Sequence, residues 1–151
     1  MKKDGPLIQV RDLVQRIGDQ EILRGLSIDV MPGETLVLLG KSGGGKSVFL
    51  RHLIGLMRPI SGSIVFENEE ITHLTERKLE PVRKKIGMLF QDGALFDSMS
   101  NWDNVAFPLR EHTDLPESMI RDIVLMKLHA VGLRGARDLM PSQVSGGMGR
   151  R

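Results

Sequence analysis

Cysteine is absent from the 151 residues, which excludes a disulfide framework, a thiolate metal site and a cysteine nucleophile. A reducing cytoplasm is compatible with that. Charge of one sign is not in excess either: 21 Lys and Arg stand against 19 Asp and Glu, a formal net charge of +2. That balance does not by itself argue for a nucleic-acid partner, and none is expected. The basic clusters Arg83-Lys84-Lys85 and Arg150-Arg151 read as solvated helix ends, with contact to anionic lipid headgroups as the alternative for the first. No stretch approaches the ~20 apolar residues that span a bilayer. Met1-Lys2-Lys3-Asp4-Gly5-Pro6 has no apolar run behind its lysines and does not read as a signal peptide. Any membrane role therefore has to come through a partner. With 40% apolar and 26% charged residues, what remains is an ordinary globular composition and enough chain for one core.

The pattern along the chain divides it. Leu7 to Val14 alternates apolar and polar residues and reads as a strand, and Glu21 to Val30 as a second after the turn Gly18-Asp19. Pro32-Gly33-Glu34 has the residue order of a type II turn. Thr35 to Leu39 and Ile86 to Phe90 are continuous apolar runs, expected as strands buried on both faces of an α/β sheet. Lys46 to Leu56 has helical spacing, Ser63 to Glu67 reads as a short strand, and Thr75 to Lys85 as a charged helix with Thr75 at its N-cap. Helices follow over Asn101–Leu109 and Pro116–Val131, the latter with Ile120, Ile123, Val124, Leu128 and Val131 on its apolar face. A mixed α/β part, residues 1–91, is thus followed by a helical part, 92–151.

Gly40-Lys41-Ser42-Gly43-Gly44-Gly45-Lys46-Ser47 fits the pattern Gly, four residues, Gly, Lys, Ser/Thr. Phosphate oxygens need several backbone N–H groups converging on one point. That requires a loop almost without side chains, at φ values that glycine adopts cheaply. The loop must open into a helix whose N-terminal N–H groups face the anion. Lys46 adds a mobile positive charge for the β- and γ-phosphates of ATP, and Ser47 a hydroxyl for Mg²⁺. A random window matches at about 4 in 100,000, and here an apolar run precedes the loop and a helical pattern follows it.

Other features narrow the class. Two strands and a turn precede the loop, whereas a small nucleotide kinase begins almost directly with it. Gln91 closes the run Ile86–Phe90, at a strand edge where a polar side chain can reach Mg²⁺ or attacking water. Far downstream, Val144-Ser145-Gly146-Gly147-Met148 combines a hydroxyl, two glycine N–H groups and a helix start. Together these residues resemble the nucleotide-binding domain of ABC transporters. Gly40–Ser47 matches its Walker A loop, Gln91 its Q-loop glutamine and Ser145-Gly146-Gly147 the middle of its signature. The stretches 88–96, 107–113 and 139–148 look like the ATP-binding subunits of Mla/Mce-type phospholipid transporters. Met148 stands where the usual signature has Gln, as that subfamily tends to.

The resemblance implies an α/β P-loop NTPase fold with an antiparallel β subdomain and a helical subdomain. It implies ATP and Mg²⁺ as cofactors, with Lys46 and Gln91 catalytic and Ser47 and Gln91 at the metal. It places the nucleotide on Gly40 to Val48, Ile17, Ser145, Gly146 and Gly147. It implies a homodimer in which each loop meets the Ser145–Gly147 segment of the other copy. The permease would dock after Gln91, with the chain peripheral on the cytoplasmic face of the inner membrane. The family continues past its signature into a Walker B strand and a switch histidine, and neither is found up to Arg151. The C-terminal half of the core is therefore expected to be missing, and this chain alone to be neither a competent ATPase nor very stable. The adenine-stacking aromatic is also lacking in Arg16-Ile17-Gly18-Asp19, where Ile17 or the Arg16 guanidinium would cover the ring.

The cluster Leu95, Phe96, Met99, Trp102, Val105 and Phe107 reads as helical core or as a groove for a helix of the membrane subunit. Met119, Met126 and Met140 read as core fillers. His52, His73, His112 and His129 lack metal-ligand spacing and read as surface residues. Two other functions stay open: a soluble ABC-type ATPase without a membrane partner, and a non-catalytic nucleotide-binding module.

Overall fold

The computed structural model describes residues 5–91 and 93–151, so Lys2, Lys3 and Asp92 lie outside the described residues. The chain divides into two compact units, one up to Gly87 and the other Met88–Arg151. Among the described residues no helix is long and apolar enough to cross a membrane.

In the first unit β1 (Ile8–Ile17) pairs antiparallel with β2 (Gln20–Val30) and with β3 (Ser61–Phe66), and β3 pairs with β4 (Glu69–Glu70), giving the order β2-β1-β3-β4. Strict alternation would put Val10 and Leu13 on opposite faces, yet both are fully buried. A bulge reconciles them: the register shifts between Val10 and Leu13, and Asp12 takes φ 48°. The extra residue turns both apolar side chains inward. Ser27 Oγ accepts the Asp12 N–H at 2.8 Å. Across the ladder Gly62, at φ 98°, lies so close that a Cβ there would sit 2.6 Å from the carbonyl oxygens of Arg11 and Asp12. Only glycine fits beside the bulge. Val10, Leu13, Leu23, Ile64 and Phe66 of this sheet form one core with Phe49 of α1 (Lys46–Leu53) and Leu79 and Val82 of α2 (Glu76–Arg83). The Pro32-Gly33 turn forms as read, with Gly33 at φ 77° and the Glu34 N–H on Met31 O at 3.2 Å.

The two apolar runs do not become buried strands. Thr35–Leu39 and Ile86–Phe90 join no ladder among the described residues, and Val37 is 67%, Leu39 90% and Leu89 66% exposed. A strand buried on both faces needs paired neighbours and cover on either side. Here only Leu38 and Ile86 reach the core of the first unit.

The second unit is helical: α3 (Asn101–His112), α4 (Glu117–Ala130) and the short α5 (Gly146–Gly149), with 3-10 turns at Arg134–Ala136 and Pro141–Gln143. Ser100 caps α3, its Oγ accepting the Asp103 N–H at 3.1 Å and donating to Asp103 Oδ2 at 2.7 Å. Ile120, Val124 and Leu128, one turn apart, pack with Ala106 and Leu133, and Trp102 and Val105 pack against them. Those two join the helical core, while Phe96 stays 49% exposed in an edge-to-face contact with Phe107.

Four side-chain readings change. Met119 and Met126 are 50% and 60% exposed, not core fillers, because they lie off the Ile120–Val124–Leu128 face of α4, and Met140 is only half-buried. His52 is 1% exposed. It stands one turn from Phe49 on the inward face of α1, with Nδ1 2.7 Å from Val48 O. Thr75 sits at the N-cap of α2, but its side chain makes no capping bond. Arg83 is no solvated helix end: it reaches back to the carbonyls of Ile54 and Gly55.

Candidate functional site

The loop from Gly40 to Ser47 lies in the first unit and owes its shape to its glycines. Gly44 donates its N–H to Lys41 O at 3.1 Å, and a Cβ on Gly44 would come within 3.0 Å of that oxygen. Gly45 caps α1 at φ 85°, and a Cβ there would lie 2.9 Å from Ile22 Cγ2 and 3.2 Å from Ile22 O. The sequence thus keeps side chains out of the place where the backbone folds around the helix start. α1 has neither a side-chain N-cap bond nor an acidic residue in its first turn. Its first N–H groups and dipole therefore meet no built-in anion. Val48 packs half-buried on the core, which fixes the helix below the loop, and Ser47 is exposed.

Lys46 Nζ donates to Gly40 O at 2.7 Å and Lys41 O at 2.8 Å. Those are the loop's own carbonyls, so the ammonium folds back across the glycine-rich arc, and phosphate oxygens are stronger acceptors for it. The cradle fits a polyphosphate: it excludes side chains where a Cβ would intrude and carries a cation at its centre. Beside it, a cavity of about 570 Å³ is lined by Asp19, Gln20, Glu21, Ile22, Arg24, Gly43 and Gly44.

Gln91 and Ser145–Gly147 share the second unit. Gln91, Ser145, Gly146, Gly149 and Arg150 line one cavity of about 530 Å³. Ser145 Oγ accepts the Met148 N–H at 3.3 Å as the cap of α5, and Ser145, Gly146 and Gly147 are exposed. Arg150 Nε donates to Gln91 O at 3.1 Å. Gly93, at φ 82°, lies so near α5 that a Cβ would sit 3.3 Å from Gly149 O. The segment after Gln91 is therefore laid directly on the turn that carries Ser145–Gly147. A family model described as ABC transporter matches residues 23–151.

The chain belongs to the ABC transporter family.

Among curated relatives, this ABC-family chain is 52% identical over 145 residues to the intermembrane phospholipid transport system ATP-binding protein MlaF of Haemophilus influenzae, covering 96% of this chain and 55% of that protein. It is 50% identical over 147 residues to the probable ribonucleotide transport ATP-binding protein mkl of Mycobacterium leprae, covering 97% of this chain and 42% of that one. The chain spans about half the length of the curated relatives it matches. Among solved structures, the dimeric ATP-binding cassette MJ0796, in a post-hydrolysis state bound to ADP and Pi, superposes at a TM-score of 0.85. It is 25% identical and covers 94% of this chain and 65% of that one. The fold is thus that of the N-terminal part of an ABC nucleotide-binding domain.

Within this ABC-family chain the structure adds residues that the motifs did not single out. Gln20, Glu21 and Arg24 line the cavity beside Gly43 and Gly44, whereas Ile17, at the hairpin tip, is 51% exposed and does not line it. The only sequence signal for them was their position just after the Gly18-Asp19 turn. Asn104 ties the segment after Gln91 to α3: its Oδ1 accepts the Phe96 N–H at 2.8 Å, and its Nδ2 donates to Met99 O at 3.2 Å and Ser100 O at 3.0 Å. An asparagine inside a helical pattern, a few residues past the cap, gave no hint of that reach.

Proposed function

We propose that this chain is the nucleotide-holding part of the energy-coupling subunit of a phospholipid ABC transporter. The observation that carries it is the Gly40–Ser47 cradle with Lys46 folded onto the carbonyls of Gly40 and Lys41. In this reading the backbone of Gly43 to Lys46 receives the β- and γ-phosphates of ATP, and Lys46 exchanges its loop carbonyls for phosphate oxygens. Ser47 supplies an oxygen ligand for Mg²⁺, which when bound would neutralise phosphate charge. Gly40 to Val48 holds the phosphates, Ile17 or Arg16 covers the base, and Ser145, Gly146 and Gly147 serve the nucleotide of a second copy. We read the unit up to Gly87 as the nucleotide-binding part and Met88–Arg151 as the helical subdomain.

Support for the phospholipid cargo is the 52% identity to MlaF of H. influenzae. The relative with a ribonucleotide name matches almost as well, so cargo is assigned to the partner subunits rather than to these residues. A permease binding after Gln91 would hold the chain peripherally on the cytoplasmic face of the inner membrane. None of the residues assigned to the nucleotide is a carboxylate base, and we read the site as one that holds ATP.

The test is equilibrium binding of Mg-ATP to the chain and to Lys46→Ala, with phosphate release followed in parallel. We expect saturable binding that the substitution weakens by at least about tenfold, and no release at ABC-type rates. Equal binding by both proteins would sink the cradle reading, and sustained release would sink the holding-only role.

A further inference from the structure

The loop from Gly40 to Ser47 opens into α1, and the far end of that helix is tied to α2. α1 is only Lys46–Leu53, roughly 12 Å long at 1.5 Å per residue, so a small tilt at its C-terminus moves its N-terminus by a comparable amount. The last carbonyls of a helix have no partner within it and must find one elsewhere. Here two are met by the following turn: Gly55 N–H donates to His52 O at 3.0 Å and Leu56 N–H to Arg51 O at 2.9 Å. The next two carbonyls past the helix, at Ile54 and Gly55, are met by one side chain from α2. Arg83 Nε donates to Ile54 O at 2.8 Å and Arg83 Nη2 to Gly55 O at 3.0 Å.

The third arm of that guanidinium, Nη1, pairs with Glu76 Oε2 at 2.7 Å. Glu76 and Arg83 open and close α2, so the fork is set from both ends of one helix. The contact also holds the backbones close. Gly55 takes φ 67°, and a Cβ on it would fall 2.7 Å from Leu79 Cδ1, while Leu79 and Val82 are only 3% and 4% exposed. Its neighbours in the basic cluster turn outward, Lys84 to Glu80 and Lys85 to Glu67. Arg83 alone of the three faces the helix end, where a cation also complements the dipole. The other end of α1, left without a side-chain cap bond, is the end that the nucleotide reading gives to phosphate.

We propose that Arg83, held by Glu76, is a positioning residue for the phosphate loop: it clamps the C-terminal end of α1 and so sets where Gly45, Lys46 and Ser47 stand. The clamp rests on the nucleotide reading and adds a determinant of affinity that touches no nucleotide. A fork of two donors on two carbonyls fixes direction as well as distance, which a single ammonium cannot do.

The experiment is titration of the chain with the fluorescent nucleotide mant-ATP in Mg²⁺, alongside thermal unfolding without nucleotide. Arg83→Ala should weaken binding about tenfold, and Arg83→Lys, which can reach one carbonyl, should recover about half of that loss on a logarithmic scale. Val82→Ala loosens the same helix without touching the fork, and should lower the unfolding temperature yet bind within about twofold of the parent. Glu76→Gln leaves the guanidinium on its carbonyls but unanchored, and should cost about threefold; it carries the test if Arg83→Ala does not fold. Parent-like affinity in Arg83→Ala or, failing that protein, in Glu76→Gln would overturn the clamp alone. So would a loss in Val82→Ala as large as that in Arg83→Ala, since general loosening would then explain both. A parent chain that does not bind mant-ATP would overturn the nucleotide reading and the clamp with it.

Discussion

The strands of the β1–β2–β3 ladder alternate apolar with polar residues and the runs Thr35–Leu39 and Ile86–Phe90 are almost wholly apolar, yet only the ladder is a sheet among the described residues. β1 is paired on both edges and its Val10 and Leu13 are fully buried. Leu39, in the more apolar segment, is 90% exposed. Apolar composition is therefore not what makes a strand here. An extended segment becomes a strand when neighbouring backbone satisfies its N–H and C=O groups and a packed layer covers its side chains. The hairpin brings its own partner two residues along the chain, whereas the two runs depend on partners distant in sequence.

Amide hydrogen exchange breaks or sharpens that comparison most directly. Amides of β1 should be protected at least about a hundredfold more than those of Val37, Leu39 and Leu89. Equal protection of the two sets would show that the runs are paired after all. Core truncation comes next. Leu13→Ala, at a fully buried position, should cost about 3 kcal/mol in chemical denaturation, while Leu39→Ala should stay within about 0.5 kcal/mol. A costly Leu39 variant would mean that its side chain is covered in solution.

Backbone strain is a smaller lever on the same sheet. Gly62→Ala sets a Cβ 2.6 Å from two carbonyl oxygens at φ 98°, and should destabilise the chain by about 2 kcal/mol. A neutral Gly62→Ala would indicate that the Arg11–Asp12 bulge relaxes without loss.

Much of this was legible from local signals. The hairpin, the Pro32-Gly33 turn and the glycine-rich loop before α1 are each decided within a few residues, and so are the cap at Ser145 and the inward face of α4. What was not legible depends on distance. The bulge at Asp12 is visible only against Gly62 on the facing strand. Arg83 looks like one more basic residue until Ile54 and Gly55 stand opposite it. His52 is the exception, since its place three residues after Phe49 already put it on the buried face, a local signal that metal-ligand spacing does not weigh. Of the candidate site, the glycine-rich loop and the helix it opens could be read from the sequence. The cavity residues Gln20, Glu21 and Arg24 could not, because hairpin register decides what meets the loop.

The smallest effect expected on the ladder is electrostatic, and its sign is fixed by the direction of one shift. Arg11 in the bulge meets Asp29 of β2 with two parallel bonds, Nη1 to Oδ1 at 2.7 Å and Nη2 to Oδ2 at 2.8 Å. The hydrogen bond from Arg11 holds the Asp29 carboxyl below its ordinary value. A carboxyl whose folded value is depressed adds stability that is fully present above the unfolded value, about 3.9 for aspartate, and is lost as pH falls through the folded one. Both partners are well exposed, so solvent screening keeps the gain small. Denaturation midpoints of the parent should therefore exceed those of Asp29→Asn slightly at pH 7 and equally at pH 5, then converge with them in acid as pH falls through the depressed folded value. The runs Thr35–Leu39 and Ile86–Phe90 contribute nothing to that gap, because it belongs to two strands held in register. A gap that persisted or widened in acid would show that Asp29 acts through something other than its charge.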